Sequence, residues 1–201
     1  MTNIRPEQPS DIDAIREVVR VAFTGHPVSS GTARLVLTPL TLEDAPQLFA
    51  YRSQPDVSRY QFFEPGSLDD ATAFIENAAE SGWCQLGVRI EGGSTLAGDV
   101  GFRLSGDPPL QAEIGVTLAP HYQGRGLAAE AVGTLLDHLF GELSVHRVFA
   151  SIDPRNAASL ALFARLGWRQ EAHSLQSVWF KGSWADDVVF ALLNSEWQGR
   201  E

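Results

Sequence analysis

The sequence predicts an α+β fold, a mixed and mostly antiparallel sheet flanked by helices, and three observations carry that expectation. Between residues 83 and 118, three segments with partly alternating apolar residues follow one another across short turn sequences. Connections that short join antiparallel neighbours. A glycine-rich turn at 123–126 then leads into a stretch whose apolar residues recur at helical spacing. A further strand, a helix and a hairpin close the chain, so strands and helices are grouped around one sheet rather than strictly alternating.

The totals narrow the class. At 201 residues, with 44% hydrophobic and 20% charged residues, the chain reads as one globular domain or one domain with an appendage. No apolar run approaches the ~18 residues of a membrane span, and the first eight residues lack the apolar centre of a signal peptide. The single cysteine, Cys84, has no internal partner and fits a reducing, cytoplasmic setting as a buried, inert thiol. A net charge of −10 argues against a nucleic-acid surface. It favours a cationic partner such as an amine.

In chain order, Ile4-Arg-Pro-Glu-Gln-Pro-Ser10-Asp-Ile-Asp13 reads as an extended piece and a capped helix start, with Ile12, Ile15, Val18, Val19 and Ala22 continuing it. Leu35-Val-Leu-Thr-Pro39-Leu-Thr41-Leu-Glu-Asp44 repeats that design about 32 residues later. Only the second opening leads into the other elements, so residues 1–30 are expected to be an appendage and residues 34–195 the domain. Residues 25–31 read as the linker. Residues 53–66 form a polar and aromatic loop, in which Tyr60, Phe62 and Phe63 either line a pocket or pin the loop to the core. Ser67-Leu-Asp-Asp70 caps a helix carrying Ala71, Phe74, Ile75 and Ala78. Strands follow at 83–90, 96–104 and 112–118, with Pro120 ending the last. A helix from Leu127 to Gly141, a strand at 145–152, and a helix from Asn156 stopped by Gly167 come next. The end of the chain reads as a final hairpin across Gly182-Ser183, formed by the stretch from Trp168 onward, then 176–181, and 184–193. Trp168, Trp179 and Trp184 read as core or interface aromatics.

The chemistry centres on Gln123-Gly-Arg-Gly126-Leu-Ala128. A helix start preceded by bare glycines is an anion site, because its first N–H groups lack internal acceptors and the dipole is positive there. Gly-Lys-Ser/Thr, which a P-loop requires, is absent. Gly124-Arg-Gly126-Leu-Ala-Ala129 meets the looser dinucleotide-binding pattern, but the strands before it look antiparallel, which is the wrong context. The pattern Gln/Arg-x-x-Gly-x-Gly/Ala is met at every defined position.

That last pattern resembles the pyrophosphate loop of the GNAT superfamily of acyl-CoA N-acyltransferases. With the element order and the Asn156-Ala-Ala-Ser159 helix followed by Leu-Gly-Trp168, the resemblance covers residues 34–195. It is nearest to the branch holding the RimJ/RimL-type ribosomal-protein N-acetyltransferases. The resemblance implies acetyl-CoA as co-substrate and direct attack by a primary amine, either a small molecule or a peptide N-terminus. Glu113 resembles the strand carboxylate that serves as base in some members; it also reads as a carboxylate that orders water or is salt-bridged on the sheet. Backbone N–H groups of Val116, Thr117 and Leu118 would hold the thioester oxygen, and those of Gln123, Gly124, Arg125, Gly126, Leu127 and Ala128 the diphosphate. Arg125 adds charge there or is a solvated side chain. Asn156 either only caps its helix or also holds the pantetheine arm. Ser159 resembles the serine that protonates or hydrogen-bonds the departing thiolate, and otherwise is a surface hydroxyl. Where other members place a tyrosine, this chain has Phe163, expected to pack on the cofactor arm or in the core. His121, just before the loop, either touches substrate or is an exposed loop residue. No Cys/His or carboxylate set suggests a metal, and the resemblance leaves a homodimer open. A non-catalytic acyl-CoA-binding module and a nucleotide-binding protein are the alternative readings.

Overall fold

The computed structural model describes residues 34–78, 80–106 and 110–199. The expected appendage at 1–30 and its linker lie outside the described residues. The chain runs β1 (Leu35–Pro39), a 3-10 turn (Leu42–Asp44), α1 (Ala45–Arg52), α2 (Pro55–Ser58), α3 (Leu68–Asn77), β2 (Trp83–Ile90), β3 (Leu96–Ser105) and β4 (Gln111–Leu118). It continues through a 3-10 turn (Pro120–Tyr122), α4 (Leu127–Gly141), β5 (Arg147–Ile152), α5 (Ala157–Arg165), β6 (Arg169–Phe180), β7 (Ser183–Leu193) and α6 (Asn194–Gln198). The seven strands form one sheet in the order β1-β2-β3-β4-β5-β7-β6. Only β4 and β5 pair in parallel, and α4 supplies the long crossover that a parallel pair requires.

The strand period of two gives the central sheet two unlike faces. One face carries Leu86 and Val88, then Val100, Phe102 and Leu104, then Ala112, Ile114 and Leu118, all buried. These pack with Val132, Leu135, Leu136 and Leu139 of α4 in the main core. Burying each such side chain contributes about 1.5–3 kcal/mol. The opposite face bears three cross-strand rows: Trp83, Arg103 and Glu113; Gln85, Gly101 and Gly115; Gly87, Asp99 and Thr117. Helix α1 lies on this polar face, where Tyr51 and Arg52 bond Asp99. It shares a second, smaller core with α2 and α3, built from Ala45, Leu48, Tyr51, Val57, Ala71 and Leu96. At the start of α3, the Ser67 hydroxyl accepts from the Asp70 N–H at 3.2 Å, and the Ser67 N–H donates to Asp70 Oδ2 at 2.9 Å. The cap expected there is formed.

Strand β4 pairs with β5 only through Gln111, Ala112 and Glu113, opposite Arg147, Val148 and Phe149. Beyond Glu113 it stays on β3 as far as Leu118, while β5 follows β7 to Ile152. The β5-facing edge of β4 after Glu113 therefore has no strand partner among the described residues.

Two local expectations change, at residues 53–66 and at the last turn, and the hairpin arm expected from Trp168 onward gains its bounds. Residues 53–66 contain one helical turn, α2, started by Pro55. Strand β6 begins at Arg169 and runs twelve residues, with register irregularities at 170–172 and 174–178. Its side chains are almost all exposed, so no apolar alternation marks its first half. The hairpin turn is at Lys181 and Gly182, both at positive φ (47° and 84°), rather than Gly182-Ser183. Two positive-φ residues match the right-handed twist of the flanking strands. Of the tryptophans, Trp168 is in the core, whereas Trp179 and Trp184 are each 59% exposed and meet edge-on at 5.4 Å. No helix among the described residues is long and apolar enough to cross a membrane.

Gly98 sets how closely β3 and β4 approach. A Cβ there would sit 2.1 Å from the Thr117 carbonyl oxygen and 2.8 Å from Leu118 Cα. Both are backbone atoms that cannot swing aside. Gly98→Ala is therefore expected to destabilise the fold by about 1–3 kcal/mol, read as a lower urea midpoint. Gly141→Ala, at a helix end with open space around it, should leave the midpoint unchanged or slightly raised.

Candidate active site

The turn before α4 is shaped by two left-handed glycines, Gly124 at φ 71° and Gly126 at φ 79°, a conformation that glycine adopts without a Cβ penalty. Residues 123–126 are exposed, and a Cβ at Gly124 would meet nothing within 4 Å. The side chain of Leu127 is buried in the main core, which anchors the first turn while its N–H groups face outward without helical acceptors. Gln123 Nε2 donates to the Leu118 carbonyl at 2.9 Å, tying the turn to the end of β4. Arg34 braces it from behind. Its Nε and Nη2 donate to Glu130 Oε2 at 2.9 and 2.7 Å, and Nη2 also reaches the Arg125 carbonyl at 3.4 Å. The one acidic side chain in the first turn of α4 is thus neutralised beside the positive end of the helix dipole.

Where β4 and β5 part, a cavity of about 930 Å³ opens. It brings together Glu113, Val116, Asn156, Ser159 and Phe163 from the expected site. Thr117 and Leu118 are buried at 6% and 7% exposure and do not line it, and neither do residues 123–128, which lie beyond the end of the strand. Glu113 Oε2 accepts from Arg103 Nη2 at 2.7 Å, and that guanidinium lies 5.5 Å from the Trp83 ring centre. The salt-bridged arrangement of Glu113 is therefore present. Asn156 Oδ1 accepts from the Ser159 N–H at 3.2 Å and caps α5. Both residues are half-buried at the cavity wall. Phe163 is 3% exposed and meets Trp168 edge-on at 4.7 Å. His121 is exposed, edge-on to Tyr122, and does not line the cavity.

Several groups here were not singled out by sequence. Asp99, Arg52 and Tyr51 form a buried set on the polar face: Arg52 Nη2 and Nε donate to Asp99 at 2.5 and 3.0 Å, and the Tyr51 hydroxyl donates at 2.5 Å. Asp99 and Arg52 line the cavity. Burial works against the Arg52 charge, but Asp99 outweighs it and raises the guanidinium pKa. Burial, helped by the Asp99 charge, pushes the Tyr51 phenol far above its usual range, so it remains a donor. An aspartate inside the apolar strand Leu96-Ala-Gly-Asp99-Val-Gly-Phe102 was a readable signal, since buried acids are almost always paired. Its partners, 47 and 48 residues away, were not readable. Tyr60, Phe62 and Phe63 all face the cavity, and Phe63 also stacks on Phe74 at 4.2 Å, so the aromatic loop both lines the pocket and is pinned.

Residues 34–169 match the family described as acetyltransferase (GNAT) domain. The chain belongs to that family and is an acetyltransferase. It is 30% identical over 173 residues to the uncharacterized N-acetyltransferase p20 of Bacillus licheniformis, covering 84% of this chain and 97% of that one. It is 31% identical over 84 residues to the ribosomal protein uS5-alanine N-acetyltransferase of Escherichia coli, covering 42% and 43% of the two chains. Among solved structures, a probable GNAT-family acetyltransferase from Chromobacterium violaceum superposes with a TM-score of 0.78 at 26% identity, covering 86% of this chain and 88% of that one. Spermidine N-acetyltransferase from Vibrio cholerae, solved with CoA and spermine, shares the fold with a TM-score of 0.72 at 21% identity, over 83% and 100% of the chains.

Two outcomes follow from this geometry. Asp99→Ala leaves the Arg52 guanidinium buried without its counter-charge, so denaturant unfolding should show a loss of about 3–5 kcal/mol. Burial pushes the Cys84 thiol up to about 12. At pH 8 it is protonated, and the native protein should react with a thiol-detecting disulfide far more slowly than the urea-unfolded chain.

Proposed function

We propose that the protein transfers an acetyl group from acetyl-CoA to a primary amine by direct attack in a ternary complex. The observation that carries this reading is the parting of β4 from β5 at Glu113. It bares a strand edge inside a cavity bounded by Asn156 and Ser159, one short turn away from the exposed glycine loop. In this reading, N–H groups from Gln123 to Ala128 take the CoA diphosphate. The free edge of β4 at Val116 holds the thioester oxygen as it gains negative charge. The Asn156 amide and the Phe163 ring hold the pantetheine arm.

The incoming amine is an ammonium with a pKa near ~10. Glu113, directly or through a water, takes its proton. The nitrogen lone pair then forms the C–N bond, the C–S bond breaks, and the thiolate takes a proton from Ser159 or from water, which is made good by the second proton the nitrogen sheds in becoming an amide. The cavity favours a cation: Glu113, Asp153, Asp186 and Asp187 line it, and Arg52 is the only basic residue of its lining among the described residues. The acceptor is a small amine or a protein N-terminus. The spermidine and uS5-alanine acetyltransferases named above support both classes, and the second agrees with the RimJ/RimL branch. Residues 34–195 form the catalytic domain in this reading, with residues 1–30 appended.

The test joins calorimetry with a thiol-release assay. Acetyl-CoA should bind the wild-type protein, and Gly126→Val should weaken binding at least about tenfold, because valine resists a φ of 79°. Glu113→Gln should lower kcat/KM for the amine by about 10²-fold and leave the CoA affinity unchanged. Full activity of that variant at every pH removes Glu113 as base, and no heat with acetyl-CoA removes the whole reading.

A further inference from the structure

We infer that Gln85 is the acceptor-orienting residue of this site: its carboxamide oxygen takes a hydrogen bond from an N–H of the attacking amine. The inference rests on the acetyl-transfer reading above and deepens it. Gln85 lies on β2 in the row that continues through Gly101 on β3 to Gly115 on β4, and it lines the cavity. Its carboxamide is laid across Gly101: a Cβ on that glycine would fall 2.6 Å from Oε1, 2.8 Å from Nε2 and 2.9 Å from Cδ. The side chain therefore occupies the space that any other residue at 101 would fill. At Gly115 a Cβ would meet nothing within 4 Å. Two neighbouring glycines thus leave a trough in the polar face, with the Gln85 amide filling one half and the half over Gly115 open.

Strands lie about 4.8 Å apart, so an amide resting over Gly101 ends about one strand spacing from the open place above Gly115. That place is where β4 has left β5, between Glu113 and the free edge at Val116. Gln85 Oε1 is buried and has no hydrogen-bond partner among the described residues. A buried acceptor left unpaired is destabilising; a half-turn of the carboxamide about Cγ–Cδ exchanges Oε1 with Nε2, brings the oxygen to the trough, and lets an N–H donor there satisfy it. A neutral oxygen suits the task better than a charged one. It can hold the amine through an N–H after deprotonation, leaving the lone pair free, whereas a carboxylate would favour the unreactive ammonium. The carboxylate lies one row along, in Glu113, where Arg103 offsets its charge.

The full chain is compared with Gln85→Met and Gln85→Glu, using acetyl-CoA with spermidine and with a tetrapeptide bearing an N-terminal alanine. Gln85→Met should raise the acceptor KM about tenfold or more and leave the KM for acetyl-CoA within about twofold. Without the unpaired oxygen, its melting temperature should rise by about 2–4 °C. Gln85→Glu should move the alkaline rise of kcat/KM to higher pH. An unchanged acceptor KM in an active Gln85→Met enzyme, or a lower melting temperature, overturns this inference and leaves the acetyl-transfer reading standing. Acetyl-CoA binding without turnover of either probe by the wild type overturns the inference, and loss of acetyl-CoA binding overturns both.

Discussion

The site depends on one constraint, the separation of β4 from a neighbour with which it pairs for only three residues. A strand inside a sheet normally spends its backbone groups on both flanks, and a buried group without a partner is costly. Here the second flank is released where the cavity opens, so groups that would close a ladder become available to a bound molecule. The separation is held from outside the site. Gly98 brings β3 close to β4, Leu118 and Leu127 are both buried in the main core, and β7 draws β5 away as far as Ile152.

The two faces of the sheet divide the labour. Helix α4 seals the apolar face, so its hydrophobic residues fix the position of its own start and hence of the glycine loop. The polar face is covered less completely, by α1 to α3 and the aromatic loop, and the cavity occupies what remains. Charge is divided in the same way. Against a net charge of −10, the start of α4 keeps the positive end of its dipole clear, with Arg34 set against the carboxylate of its first turn, Glu130. The cavity instead keeps carboxylates in its lining, Glu113, Asp186 and Asp187 among them.

Much of this was legible in the sequence, for identifiable reasons. The central strands alternate because one face is buried, and Leu127, Ala131, Leu135 and Leu139 recur because α4 buries one stripe. The glycine loop was legible because left-handed backbone selects glycine at 124 and 126. The first half of β6 was legible only as part of the final hairpin and not as one continuous strand, because an exposed edge strand needs no apolar pattern. Nor was the row Gln85, Gly101 and Gly115, whose meaning depends on the register between three strands. A glutamine in a strand and two glycines in two others carry no signal until pairing sets them side by side. The Arg52–Asp99 pair was half legible: the acid stood out against its apolar neighbours, but its partner arrives by tertiary packing alone.

That pair also explains which wall of the cavity is fixed. Arg52 and Asp99 are 7% and 1% exposed and share Tyr51, so water cannot replace their hydrogen bonds when the helix shifts. The α1 side is therefore clamped to the sheet. The opposite closure uses surface contacts: Lys181 at the tip of the last hairpin pairs with Glu64 and reaches the Ser58 carbonyl at 3.0 Å, while Arg155 pairs with Asp153. Such exposed pairs contribute little and are screened by salt. The Lys181 contacts alone join the aromatic loop to the β6–β7 hairpin, without locking it, while the Arg155–Asp153 pair stays within the turn after β5. Asp187, by contrast, has no cation partner among the described residues and accepts from the Ser151 hydroxyl at 2.5 Å. One wall is thus held by buried charge and the other by replaceable pairs, with an uncompensated carboxylate between them. A cation entering from the hairpin side meets the wall that yields most easily and, in Asp187, a charge still to be neutralised.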